Sequence, residues 1–175
     1  TPRVGVFRPV VRSADEPDYI VELLLEHTTA DLTYEEIVGV TYEQVHADPD
    51  LAIAEIVARY HAVAERCDAV VIVGSDYTDV ASPSELEFNA RVAVNLDAPV
   101  LLALRGAGRT PAELLALGQI SATELRSQHA HLVGVVVNRC TPGDLDVVGV
   151  ALAPLQVPVW SLPEVALLGA PTMAE

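Results

Sequence analysis

Asp68-Ala69-Val70-Val71-Ile72-Val73-Gly74-Ser75-Asp76-Tyr77-Thr78-Asp79 is the stretch that decides the fold. Ala69 to Val73 is a continuous apolar run rich in β-branched residues, of the kind buried on both faces of a parallel sheet. Gly74 to Pro83 then reads as a polar loop. Just upstream lies the clearest helix of the chain. Asp48 is its N-cap, Pro49 takes the first helical position, and Leu51, Ile53, Ile56, Val57, Tyr60, Val63 and Ala64 follow, ending near Cys67-Asp68. Just downstream, Ser84 to Leu96 reads as another helix, with Ser84 and Glu87 at capping-box spacing.

Outward from this unit the alternation repeats. Val4 to Val10 reads as a buried strand closed by Pro9, followed by a helix from Tyr19 to Glu26 behind the acidic start Asp15-Glu16-Pro17-Asp18. The segment from Tyr34 to Val45 is ambiguous, a helical turn and Gly39 followed by Val40-Thr41-Tyr42. Pro99 to Leu104, Leu132 to Val137 and Val157 to Leu162 read as strands. Thr110-Pro111 starts a helix reaching about Gln128, Asn138 to Pro142 reads as a loop, and Gly143 to Leu152 as a short helix. Five strands separated by helices predict an α/β, doubly wound domain with a mostly parallel sheet. Ligands of such folds bind outside the carboxyl ends of the strands. Attention therefore falls on the loops at Arg8 to Asp15, Gly74 to Pro83, Arg105 to Arg109 and Asn138 to Gly143.

Composition excludes several chemistries. The 175 residues hold 10 basic against 25 acidic side chains, a formal charge of −15, and every basic residue is Arg. Without Lys there is no Schiff base, no amine nucleophile and no Gly-Lys-Ser/Thr phosphate loop within these residues. The acidic excess disfavours nucleic acid and anionic membrane as partners. Apolar runs such as Ala69 to Val73 are far shorter than the roughly 20 residues of a membrane span. The two cysteines, Cys67 and Cys140, make no disulfide framework and are expected reduced in a cytoplasmic protein. The chain opens directly into a strand, and its only Met is Met173, so it is expected to be a piece of a longer protein.

Candidate chemistry is sparse. Asp76 and Asp79, beside Gly74 and Ser75, could hold Mg²⁺ through water; the same residues equally serve to cap and turn a loop. Asn138-Arg139 could read a base through the amide and a phosphate through the guanidinium, or could cap a loop and face solvent. Arg8 could meet an anion or pair with a neighbouring carboxylate. The five His, with His129 and His131 two apart, form no metal spacing, and Glu35-Glu36 and Glu85/Glu87 read as solvated helix faces rather than an acid/base pair. No Gly-x-Gly-x-x-Gly fingerprint and no Gly-x-Ser-x-Gly elbow is present. No catalytic constellation and no metal site is read from the residues.

Several segments in order resemble one family. They are Val4-Gly5-Val6-Phe7-Arg8-Pro9-Val10, Asp18-Tyr19-Ile20-Val21-Glu22-Leu23-Leu24, Gly39-Val40-Thr41-Tyr42, Ile53 to His61, Cys67 to Asp79, Asn89 to Ala93, Ala98 to Leu102, Val136 to Cys140, and Leu167-Leu168-Gly169-Ala170-Pro171-Thr172. Together these resemble the N-terminal domain of long-form bacterial phosphate acetyltransferase, of the actinobacterial type. The resemblance implies a P-loop NTPase-like, dethiobiotin synthetase-like fold in which the P-loop strand and helix would precede Thr1. It implies a truncated regulatory domain over residues 1–170, with 171–175 starting a linker or the next domain. The acyl transfer between acetyl-CoA and phosphate would belong to a separate C-terminal domain. No cofactor is implied for this segment beyond a nucleotide effector, and the implied partners are the remaining domains and further copies of the chain. Asn138 matches the adenine-reading Asn of that fold's Val-Asn-Arg segment, and with Arg8, Ser75, Asp76, Asp79 and Arg139, singled out from the residues themselves, it makes up the expected nucleotide or effector contacts. Arg8 stands where relatives of the dethiobiotin synthetase type carry Lys, and Val73-Gly74 where they carry an acidic Mg²⁺ ligand. Two other functions stay open: an ATP-dependent ligase of the dethiobiotin or cobyrinate synthase type, and a nucleotide or NADH sensor.

Overall fold

The computed structural model describes residues 1–14, 16–75 and 85–165. The chain forms two compact units, Thr1–Asp97 and Ala98–Glu175, each built on a three-stranded parallel sheet flanked by helices. Asp76, Asp79 and the proposed cap Ser84 lie outside the described residues, as does the tail from residue 166.

In the first unit, β1 (Val4–Val11) runs between β2 (Val38–Thr41) and β3 (Ala69–Ile72). Central placement explains why β1 is buried along nearly its whole length. Arg8 pairs in register with Val38, and Phe7 with Ile72. Helices cover both faces. Val6 and Val11 cluster with Val21 of α1 (Tyr19–Leu25) and Ile37 of α2 (Tyr34–Ile37). Phe7 meets Tyr60 of α4 (Pro49–Ala64) edge to face, with ring centroids 5.6 Å apart. The apolar stripe of α4 places Ala52, Ile53, Ile56 and Val63 in the core at helical spacing. The Asp48 carboxylate accepts the backbone N–H groups of Asp50 and Leu51 at 3.2 and 3.0 Å, as expected of its cap position.

The ambiguous segment resolves into three short elements. They are α2, the added strand β2, and α3 (Tyr42–Ala47), the last opened by reciprocal bonds between Thr41 and Gln44. The sheet therefore gains a strand beyond the expected set. Gly39 makes the pairing possible: a Cβ there would stand 2.2 Å from the Pro9 carbonyl oxygen. The two-sided burial expected of Ala69 to Val73 is not reached, since β3 is the outer strand of its sheet among the described residues and Val71 is 52% exposed. The helix after it, α5, runs Glu85–Asn95.

In the second unit, β5 (Leu132–Cys140) is central, between β4 (Val100–Arg105) and β6 (Val159–Pro163). One face packs Leu102, Val135, Val137 and Cys140 against Leu114 of α6 (Pro111–Ser127) and Val148 and Leu152 beside α7 (Leu145–Ala151). Thr110 and Glu113 close a capping box at the start of α6, with bonds of 2.7 and 3.3 Å. The opposite face carries Leu101 and Trp160, each about half exposed, and both lie over Gly134. Asn138 and Arg139 belong to β5 rather than to a loop, because Arg105 pairs with Asn138 and Cys140 with Pro163.

Candidate functional site

At the carboxyl end of β1, Arg8 is 3% exposed. Its guanidinium Nη1 donates to the Val73 carbonyl at 3.1 Å and to the Gly74 carbonyl, and its Nε lies 3.6 Å from Asp18 Oδ2. Asp18 is in turn the N-cap of α1, accepting from Ile20 N–H at 2.9 Å, while its own N–H donates to Tyr34 Oη at 2.8 Å. One buried cation thus ties the end of β3 to the start of α1. This desolvated placement fits a fixed internal counter-charge, since a buried cation is stable only beside an opposite charge or hydrogen-bonded acceptors.

Gly74 and Ser75 are fixed by Asn89 of α5. The Asn89 amide accepts from Ser75 N–H at 3.2 Å and donates to the Ser75 carbonyl at 3.0 Å. A Cβ on Gly74 would stand 2.8 Å from Asn89 Oδ1, so the glycine allows the amide to sit against the chain. Beyond the ends of β1 and β2, a cavity of about 740 Å³ opens between Val11, Ser13, Tyr34, Thr41 and Gln44. Among the described residues its charged lining is Glu16, Glu22 and Glu35 against Arg59 alone, and Arg59 already donates to Glu55 at 2.7 Å. The size suits a small molecule. The excess of carboxylates repels a polyphosphate.

The second unit holds the other predicted pair. Asn138 is exposed at the end of β5, and its Oδ1 accepts the Arg139 N–H at 2.8 Å. Arg139 adopts a left-handed backbone, φ 62°, which is uncommon outside Gly and Asn. Its guanidinium makes bonds of 3.0 and 2.6 Å to Glu164 Oε1. Gly106 N–H donates to the Asn138 carbonyl at 2.6 Å, and a Cβ on Gly106 would stand 2.8 Å from Cys140 Sγ. Burial, and then the charge of Asp144, push the Cys140 thiol above its ordinary range.

Of the residues singled out from sequence, Arg8 and Ser75 stand at the carboxyl edge of the first unit, and Asn138 and Arg139 at that of the second. In sequence Asp18 is one acid of the helix start Asp15-Glu16-Pro17-Asp18, and nothing in its spacing points to its cap role or to Arg8. Asn89, Tyr34 and Glu164 carried no signal, because each acts through partners 14 to 25 positions away. Among the described residues, no group of three or more His, Cys, Asp or Glu could hold a metal ion. No helix among them is long and apolar enough to cross a membrane.

Comparison with known proteins places this geometry. The chain is 27% identical over 187 aligned positions to a phosphate acetyltransferase of Nitratidesulfovibrio vulgaris, covering 98% of this chain and 26% of that protein. It is 30% identical over 149 positions to a phosphate acetyltransferase of Synechocystis sp., covering 81% of this chain and 21% of that protein. The chain therefore spans about a quarter of the length of the curated relatives it matches. Among solved structures, the arginine decarboxylase of Paramecium bursaria Chlorella virus gives a TM-score of 0.39 at 12% identity, covering 92% of this chain and 57% of that one, a likeness too low to inform the site. A family model described as an AAA domain matches residues 1–172, with parallel sheets flanked by helices as a P-loop NTPase-like fold requires. By that match over nearly its whole length, the chain belongs to the AAA domain family AAA_26.

Proposed function

We propose that this chain is a non-catalytic regulatory and structural domain of a phosphate acetyltransferase, of the long form found in actinobacteria. The observation that carries the reading is the alignment of 98% of the chain with about a quarter of a phosphate acetyltransferase. The acyl transfer between acetyl-CoA and phosphate would then reside elsewhere in the parent, with its other domains and further copies of this chain as partners in the cytoplasm.

The side chains support a binding role better than a hydrolytic one. An ATP-hydrolysing site needs cations aimed at phosphates. Here Arg8 is turned inward to Asp18 and two carbonyls, Arg139 is engaged by Glu164, and Lys is absent. These residues do not fit a triphosphate, so the ligase alternative finds no support in them. Asn138, exposed at the end of β5, is the residue on which we place a nucleotide effector. Asn amides read adenine through paired donor and acceptor atoms.

The purified chain is expected to form no acetyl phosphate from acetyl-CoA and phosphate, and clear turnover overturns the proposal. In the parent enzyme, deleting this segment is expected to leave turnover and to alter assembly or effector response. Unchanged assembly and response in the deleted enzyme would end the regulatory reading. Asn138→Ala should abolish the effector response, and an unaltered response removes Asn138 from it.

A further inference from the structure

Away from the carboxyl edges described above, a second cavity of about 580 Å³ lies at the amino ends of β5 and β6 in the second unit. Its walls are the last turns of α6, the entrance to β5, and the 3-10 turn Ala153–Leu155 with Gln156. The polar side chains on it are Gln119, Thr123, Arg126, His131 and Gln156, set beside Leu155 and other apolar side chains. Among the described residues, none that lines it is acidic. In a chain with 25 Asp and Glu and a formal charge of −15, that sets it apart from the carboxylate-lined cavity of the first unit.

Arg126 sharpens the contrast. Arg3, Arg8, Arg59, Arg66, Arg91 and Arg139 each form an ion pair with Asp or Glu. Arg126 instead uses Nε to donate to the Ala122 carbonyl at 3.0 Å, one turn back on its own helix. That bond orients the fork, and among the described residues neither terminal nitrogen has a partner, which leaves both for a ligand. A guanidinium held in this way is suited to two parallel bonds with a carboxylate or phosphate. The backbone carbonyl of His131 accepts from Val100 N–H at 2.8 Å, fixing the strand entrance that carries its ring. Gln156 is held in the left-handed region at φ 58°, closing the far side of the cavity.

We infer that this cavity is a binding site for a small anion, a carboxylate or phosphate head group with a short apolar body. Arg126 takes the charged head, His131 and the Gln119 and Gln156 amides supply further donors, and Leu155 receives the apolar part. Such a pocket of mixed apolar wall and few convergent polar groups has the usual make-up of a small-molecule site. The assignment rests on the second unit alone and is independent of the function proposed above.

The test uses the full chain with inorganic phosphate and succinate as separate probes, followed by amide chemical shifts and by calorimetry. Saturable shifts at residues 119–132 and 154–157 are expected, and the stronger probe identifies the head group. Arg126→Gln should weaken that binding about tenfold or more, the loss of one charge-assisted contact. Thr123→Glu, which places a carboxylate at the mouth, should do the same by repulsion. Arg105→Gln, removing an exposed cation elsewhere, should leave binding unchanged and so excludes a general charge effect. Wild-type chain that binds neither probe at millimolar concentration overturns the inference. So does binding that survives both R126Q and T123E, or that falls equally in R105Q.

Discussion

Replacing Arg8 by Met retains most of the aliphatic stem and removes the guanidinium from the centre of the first unit. Two backbone carbonyls, of Val73 and Gly74, then lose a charged donor, and the Asp18 carboxylate loses a cation 3.6 Å away. A hydrogen bond from a charged group contributes about 1.5–3 kcal/mol, and breaking a buried ion pair from one side costs about 3–5 kcal/mol. These figures describe one guanidinium counted twice, and the Asp18 side chain, 12% exposed, keeps some access to water. A loss of about 3 kcal/mol is therefore expected. With a urea slope of about 2 kcal/mol/M, the midpoint should fall by about 1.5 M. The assay is urea unfolding followed by far-UV circular dichroism. Arg8→Lys should lie between Met and wild type, because one ammonium cannot span both carbonyls and the carboxylate as the fork does. A double mutant with Asp18→Asn should show coupling of about 1 kcal/mol. A midpoint within about 0.3 M of wild type for Arg8→Met, or no coupling to Asp18, would refute the account of Arg8 as an internal tie.

Three further outcomes follow from the same geometry. Gly39→Ala forces a methyl against the Pro9 carbonyl at 2.2 Å and should cost about 2–4 kcal/mol by separating β1 from β2, read as a fallen melting temperature; an unchanged melting temperature would contradict the pairing. With a thiol reagent at pH 8, Cys67 should react rapidly and Cys140 slowly, since burial holds the Cys140 thiol protonated; equal rates for the two would show that Cys140 is not enclosed. Glu113, Glu36 and Asp68 have carboxyls held below the usual range, the first two chiefly by the backbone N–H of Thr110 and Thr33 and the last by the Arg3 guanidinium. A depressed carboxyl contributes stability that is present above its unfolded pKa near 4 and is lost as pH falls through its lower folded value. Stability should therefore fall with acid below about pH 4, and less steeply in Glu113→Gln; identical acid slopes would count against the cap.

How much of this was legible follows the range of the interactions. Asp48-Pro49 and Thr110-Pro111 announce their helices because a cap is a bond between residues two or three apart. The strands at Val4 and Leu132 were visible as apolar runs. β2 was not, because Val38-Gly39-Val40-Thr41 is four residues long and becomes a strand only through the close passage of Pro9. The exposure of Val71 was hidden for a similar reason, since apolar sequence does not say which strand stands at an edge. The sequence leaves Arg8 two roles, an anion contact or a carboxylate pair, and only the fold shows that Asp18 and the end of β3 converge on it. Nothing in the sequence marks Arg126, because its place on a cavity wall without described acids is set by the fold.

The stacking of Trp160 on Gly134 has an optical consequence. Trp160 is the only tryptophan in the chain, and its indole is half exposed over a glycine that has no side chain to lift it from the strand. Its emission therefore reports a single place. In water-facing surroundings the band lies to the red, and any partner that covers this face of the second unit displaces that water and moves the band to the blue. The protein thus carries its own fluorophore on its apolar sheet face, and titrating it with candidate partners requires no added label.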